Sequence, residues 1–102
     1  MKIVKVIYTT KAEYAEQNAV NIKTVMSDLH KLNRPGINYN SCLGTDGKTF
    51  IHTAFFKSDE DEKTLIELPS FKQFQERLKA GGLEVPPKQE LLTLVESSVE
   101  IF

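Results

Sequence analysis

The sequence predicts an α+β fold in which four antiparallel strands form one sheet and two helices cover one of its faces. Three observations carry this reading. A β-branched, nearly all apolar run, Lys2–Thr9, opens the chain, and a long amphipathic stretch with clear ends, Lys11–Leu32, follows it. Two strand-like segments, Ile37–Leu43 and Thr49–Phe56, then flank a turn in which Asp46-Gly47 supplies the positive φ that a tight reversal needs. A second helical region and a last strand complete the order β-α-β-β-α-β, the split βαβ pattern of ferredoxin-like domains. Helical crossovers of the usual hand place both helices on the same side of the sheet. A chain of 102 residues has material for one core, so residues 1–102 are read as a single domain.

Each element has its own local reason. The first strand lacks alternation, as a central strand covered on both faces does. Thr10 and Glu13 have capping-box spacing and predict the start of the first helix. Ala15, Ala19, Ile22, Met26 and Leu29, flanked by Val25 and Leu32, form its buried stripe. Asn33-Arg34-Pro35-Gly36 ends it, because proline lacks the N–H that would continue the ladder. In the hairpin, pairing Leu43 with Lys48 sets Tyr39 opposite His52, Ile37 opposite Ala54 and Ser41 opposite Phe50. Ser58 and the acidic run Asp59-Glu60-Asp61 suit the positive end of a second helix, and lack the ligand spacing of a calcium loop. Pro69 interrupts that region, and Ser70 with Gln73 repeats the capping-box spacing. Phe71, Phe74 and Leu78 make its core stripe, and Gly81-Gly82 ends it. After Pro86-Pro87, residues 89–102 read as a last strand with a bend near Ser97-Ser98.

Composition narrows the function. Thirteen Lys and Arg balance fourteen Asp and Glu in a scattered pattern, which gives no electrostatic reason to bind nucleic acid. No apolar run approaches the roughly 20 residues of a membrane span, and no short apolar signal segment stands near the start. One cysteine cannot close an intramolecular disulfide, and no Cys/His set for a metal is present. A soluble cytoplasmic protein without a membrane partner, metal or other cofactor is expected. The sheet face away from the helices would carry Ile3, Ile7, Ile51, Phe55, Val95 and Val99. An apolar face of that extent predicts a homodimer in which two sheets cover one another.

Phe55-Phe56-Lys57-Ser58-Asp59-Glu60, leading into Leu65 to Phe74, is similar to a pattern in the dimeric α+β barrel superfamily. The chain resembles its small antibiotic-biosynthesis-monooxygenase-like domains, in element order and spacing over essentially the whole length. The resemblance implies a dimeric α+β barrel and a pocket between sheet and helices. It also implies a monooxygenase-like activity without metal or flavin, with a small aromatic or apolar ligand. Haem degradation, known in that group, uses a first-strand asparagine, a tryptophan ending the third strand and a histidine on the second helix. Here the first strand has no asparagine, and Phe56 and Leu65 occupy the other two positions, so that activity is not expected.

With this register Tyr8, Tyr39, His52 and Phe56 share the helix-facing side with Val4, Val6 and Ala54. They form the candidate ligand site, because a histidine among tyrosines can polarise a phenol or carbonyl or move a proton. Equally, Tyr8, Tyr39 and His52 can be core residues whose polar tips satisfy one another. His30 reads as a rim residue and Cys42 as a buried, inert thiol. Two functions therefore stay open: a small-molecule-binding domain with monooxygenase-like chemistry, and a non-catalytic homodimeric module that binds a ligand or partner.

Overall fold

The computed structural model describes residues 1–102. Strand β1 spans Lys2–Thr10, β2 Ile37–Leu43, β3 Thr49–Phe56 and β4 Leu83–Leu92; helices α1, α2 and α3 span Ala15–Leu32, Asp59–Glu67 and Pro69–Arg77. The strands form one antiparallel sheet of order β2-β3-β1-β4, with the helices on one face. This is the predicted ferredoxin-like class. Tyr8, Phe50, Ala54 and Phe56 of the central strands pack with Ile22 and Val25 of α1, Leu65 of α2, Phe74 of α3 and Leu78 after it. The even-numbered residues of β1 and β3 thus face the helices.

Several local expectations are corrected, each for a readable reason. Thr10 does not cap a helix. It is the last residue of β1, fully buried, with its N–H donating to the Lys48 carbonyl at 2.8 Å. A single 3₁₀ turn, Ala12–Tyr14, then leads into α1. Leu32 is exposed, while Asn18 and Asn21 take buried places in the stripe beside Ile22 and Val25. Asn33 closes the helix in the left-handed conformation, φ 49°. Ser58 caps α2 as predicted, with Asp61 completing the box. Ser70 caps nothing: Pro69 holds the first position of α3, where its missing N–H costs no bond, and Leu68 precedes it.

The hairpin register is shifted by two residues. Leu43 pairs with Phe50, Ser41 with His52, Tyr39 with Ala54 and Ile37 with Phe56. Asp46 is the cause, since its carboxylate accepts the Lys48 and Thr49 N–H groups at 3.0 and 2.9 Å and draws Lys48 into the turn. A shift of two preserves every side chain's face, so the predicted grouping survives the wrong pairing.

The last strand is the largest correction. β4 begins at Leu83, contains Pro86 and Pro87, and ends at Leu92; residues 93–102 hold no strand. Prolines fit because β4 is an edge strand, whose outward N–H groups have no ladder partner. Irregular pairing between Ile7 and Thr10 of β1 accompanies them. Val95 and Val99 therefore do not extend the sheet; they are 98% and 70% exposed. On the face away from the helices Ile3 is buried and Ile7, Ile51 and Phe55 are half-buried, so that face is less bare than the sequence implied.

Candidate functional site

His52 lies on β3, one strand in from the edge, with β2 on one side and β1 on the other. Tyr39 and Tyr8 are not its direct partners but its diagonal neighbours, and such offsets lie within reach of long aromatic side chains. The Tyr8 hydroxyl lies 2.7 Å from His52 Nε2, and the Tyr39 hydroxyl 2.6 Å from Nδ1. From α1, Asn18 donates its amide N–H to the Tyr8 oxygen at 2.9 Å. Asn18, Tyr8, His52 and Tyr39 thus form one hydrogen-bonded chain across the helix-facing side of the sheet.

Packing holds that chain in place. The His52 ring stacks on Tyr8 at 5.3 Å between centroids, and sits 5.6 Å from both Tyr39 and Phe74. Phe71 meets Tyr39 edge-on at 6.2 Å. Burial sets the charge state: it pushes His52 down to about 4 and both tyrosines above their ordinary value. Near pH 7 every member is neutral.

A cavity of about 380 Å³ opens between this surface and helices α2 and α3. All four sequence-selected residues, Tyr8, Tyr39, His52 and Phe56, line it, together with Val4, Val6 and Ala54. Leu65, Phe71, Phe74 and Leu78 close it from the helix side, and the exposed Gln75, Lys79 and Gln89 contribute polar groups. Phe56 and Leu65, which stand at the positions of the haem-degrading tryptophan and histidine, are both buried against it. Chemically, the wall offers ring faces and a neutral hydroxyl–imidazole–hydroxyl array. It can hold and orient an apolar molecule with one polar group.

No family model matches the sequence, and no curated protein matches it. Solved structures do match. A protein of Nitrosomonas europaea assigned to the antibiotic biosynthesis monooxygenases superposes with a TM-score of 0.78 at 13% identity, covering 94% of this chain and 100% of the other. One from Bacteroides thetaiotaomicron, with the same assignment, gives 0.77 at 14% identity, covering 97% and 93%. A variant of a cofactor-independent oxygenase from Streptomyces nogalater gives 0.70 at 13% identity, covering 97% and 98%. The fold is that of the antibiotic-biosynthesis-monooxygenase-like proteins.

Within this monooxygenase-like fold, the sequence reading missed Asn18. Its signal was available: Ala15, Asn18, Ile22 and Val25 follow one 3–4 spacing, which puts a polar side chain in the middle of the buried stripe. A buried asparagine demands partners, and here one is the Tyr8 hydroxyl. Cys42 is corrected from buried to exposed, because its face of edge strand β2 has no helix over it. His30 is exposed, as a rim residue should be. No three His, Cys, Asp or Glu side chains converge to hold a metal ion, and no helix is long and apolar enough to cross a membrane.

Proposed function

We propose that this chain is a cytoplasmic, homodimeric small-molecule-binding protein, folded as one domain, whose ligand is a small aromatic or apolar molecule. The observation that carries this reading is the cavity over the Tyr8–His52–Tyr39 array. Its size falls in the range of small-ligand sites, about 300–1,000 Å³, and apolar walls with a few polar groups are the usual composition of such sites. Titrating 1-naphthol into ¹⁵N-labelled protein should shift the amides of Val6, Tyr39, His52 and Phe74. Tyr39→Phe should weaken that binding about 3- to 10-fold, as for one neutral hydrogen bond. Shifts confined to residues outside the cavity would refute the assignment.

The finer form of the proposal is oxidation of an electron-rich aromatic ligand without metal or flavin. Such a ligand supplies its own electrons to dioxygen, and the protein's part is to bind it, orient it and exclude water. A cofactor-independent oxygenase among the structural neighbours supports this form. The second reading, binding without catalysis, is favoured by His52: both its nitrogens are engaged and burial makes it a weak base. Oxygen uptake with 1,5-dihydroxynaphthalene separates the two. Uptake above the protein-free rate that falls on Tyr39→Phe supports the oxygenase form, and an unchanged rate supports the binding module.

The dimer rests on the partly apolar sheet face of Ile7, Ile51 and Phe55, together with the exposed Val95 and Val99. Light scattering at micromolar concentration should give about twice the 11.6 kDa chain mass. A monomer would end this part of the proposal.

A further inference from the structure

We propose that Asn18 fixes the direction of the hydrogen-bond chain. Tyr39 then turns its hydroxyl proton into the cavity, and the site selects ligands whose polar group is an acceptor, such as a ring ketone. This inference rests on the cavity being the ligand site, and it deepens that reading by naming the chemistry the site prefers.

The protons along the chain are fixed from the Asn18 end. Asn18 is fully buried, its amide nitrogen donates to the Tyr8 oxygen at 2.9 Å, and its Oδ1 has no partner. Turning the amide over would place Oδ1 on Tyr8 and bury two N–H donors without acceptors, where the observed orientation leaves one N–H and one oxygen. A buried unpaired N–H is the costlier of the two to leave. The Tyr8 oxygen therefore receives a proton from Asn18. Its own single proton goes to its other neighbour, His52 Nε2, at 2.7 Å. A neutral imidazole that accepts at Nε2 carries its hydrogen on Nδ1. That Nδ1–H points to the Tyr39 oxygen at 2.6 Å. The Tyr39 hydroxyl has no other partner in the protein and lines the cavity, so its proton is left for whatever enters. Asn18 acts as a positioning residue, three hydrogen bonds from the Tyr39 hydroxyl it orients.

Long-range ¹H–¹⁵N correlation spectra of the histidine rings at pH 7 read the tautomer directly. Wild type should show His52 protonated on Nδ1. Asn18→Asp replaces the donor by an acceptor, so Tyr8 should donate to it and the His52 proton should move to Nε2. Asn18→Leu, which removes the donor without adding an acceptor, should give a mixture. A wild-type Nε2–H tautomer, or a tautomer indifferent to both substitutions, would overturn the proposal.

Two probes of the same ring size then test selectivity. 1-Indanone carries only an acceptor and indole only an N–H donor. Wild type should prefer 1-indanone by about 10-fold, and Asn18→Asp should reverse the order. Equal affinities alongside the expected tautomer would overturn the selectivity. Binding of neither probe would instead count against the cavity reading and carry the ligand class down with it, while the tautomer spectra decide the direction of the chain alone.

Discussion

Acidifying the protein from pH 7 to pH 4.5 should destabilise it through His52 alone, before its low-lying carboxylates begin to titrate. Burial lowers the folded-state value of His52 from the ordinary 6.5 to about 4. Between those limits the unfolded chain takes up a proton and the folded chain does not. The stability associated with neutral His52 is thus complete above about pH 6.5 and is lost as pH falls towards 4. The full loss is about 3 kcal/mol, on the order of 10–20 °C in Tm for a domain of this size. Asp46 and Asp61, held below their ordinary values by hydrogen bonds, lose their contributions only below about pH 4.

His52→Phe is the control. It removes the titrating group, so the steep fall between pH 6.5 and 4.5 should disappear. It also leaves the half-buried Tyr39 hydroxyl with no partner in the protein. The buried Tyr8 hydroxyl keeps only the Asn18 amide, so its own proton has no acceptor. Together these losses should cost about 2 kcal/mol at pH 7. Wild type and variant should therefore converge in acid. A variant that kept the wild-type slope would show that His52 is not the source. The cost at pH 7 follows whether or not the cavity binds a ligand, which is why ligand tests belong on Tyr39, whose hydroxyl retains unused capacity.

Gly36→Ala should lower stability by about 1–3 kcal/mol, each kcal/mol being worth about 4–8 °C in Tm. Gly36 is buried at the entry to β2, and a methyl group there would lie 2.3–2.7 Å from the Asp61 carboxylate. That carboxylate cannot swing aside freely. It accepts the Arg34 Nε–H at 2.7 Å, the Ser58 hydroxyl at 2.8 Å and the Ser58 N–H at 3.1 Å. The backbone is pinned as well, with Lys57 N–H donating to the Gly36 carbonyl at 2.9 Å. Combining the change with Asp61→Ala isolates the cause: once the carboxylate is gone, Gly36→Ala should cost little. An undiminished cost in that background would place the damage in the backbone.

How much was legible beforehand depended on the range of the interaction. Helix α1, the Ser58 cap and the Asp46-Gly47 turn are written in neighbouring residues, because capping, periodicity and turn geometry act over a few positions. The helix-facing grouping of Tyr8, Tyr39, His52 and Phe56 was legible too, since strand alternation fixes faces even when the pairing slips by two. Tertiary structure decided the rest. Thr10 became a strand end because Lys48, distant in sequence, accepts its N–H, and Pro86-Pro87 entered β4 because topology put that strand at an edge. Asn18 acquired its role only when α1 folded across β1 and set its amide against Tyr8. Local sequence fixes which way a side chain points, but a hydrogen-bond partner 10 or 44 residues away exists only once the chain is packed.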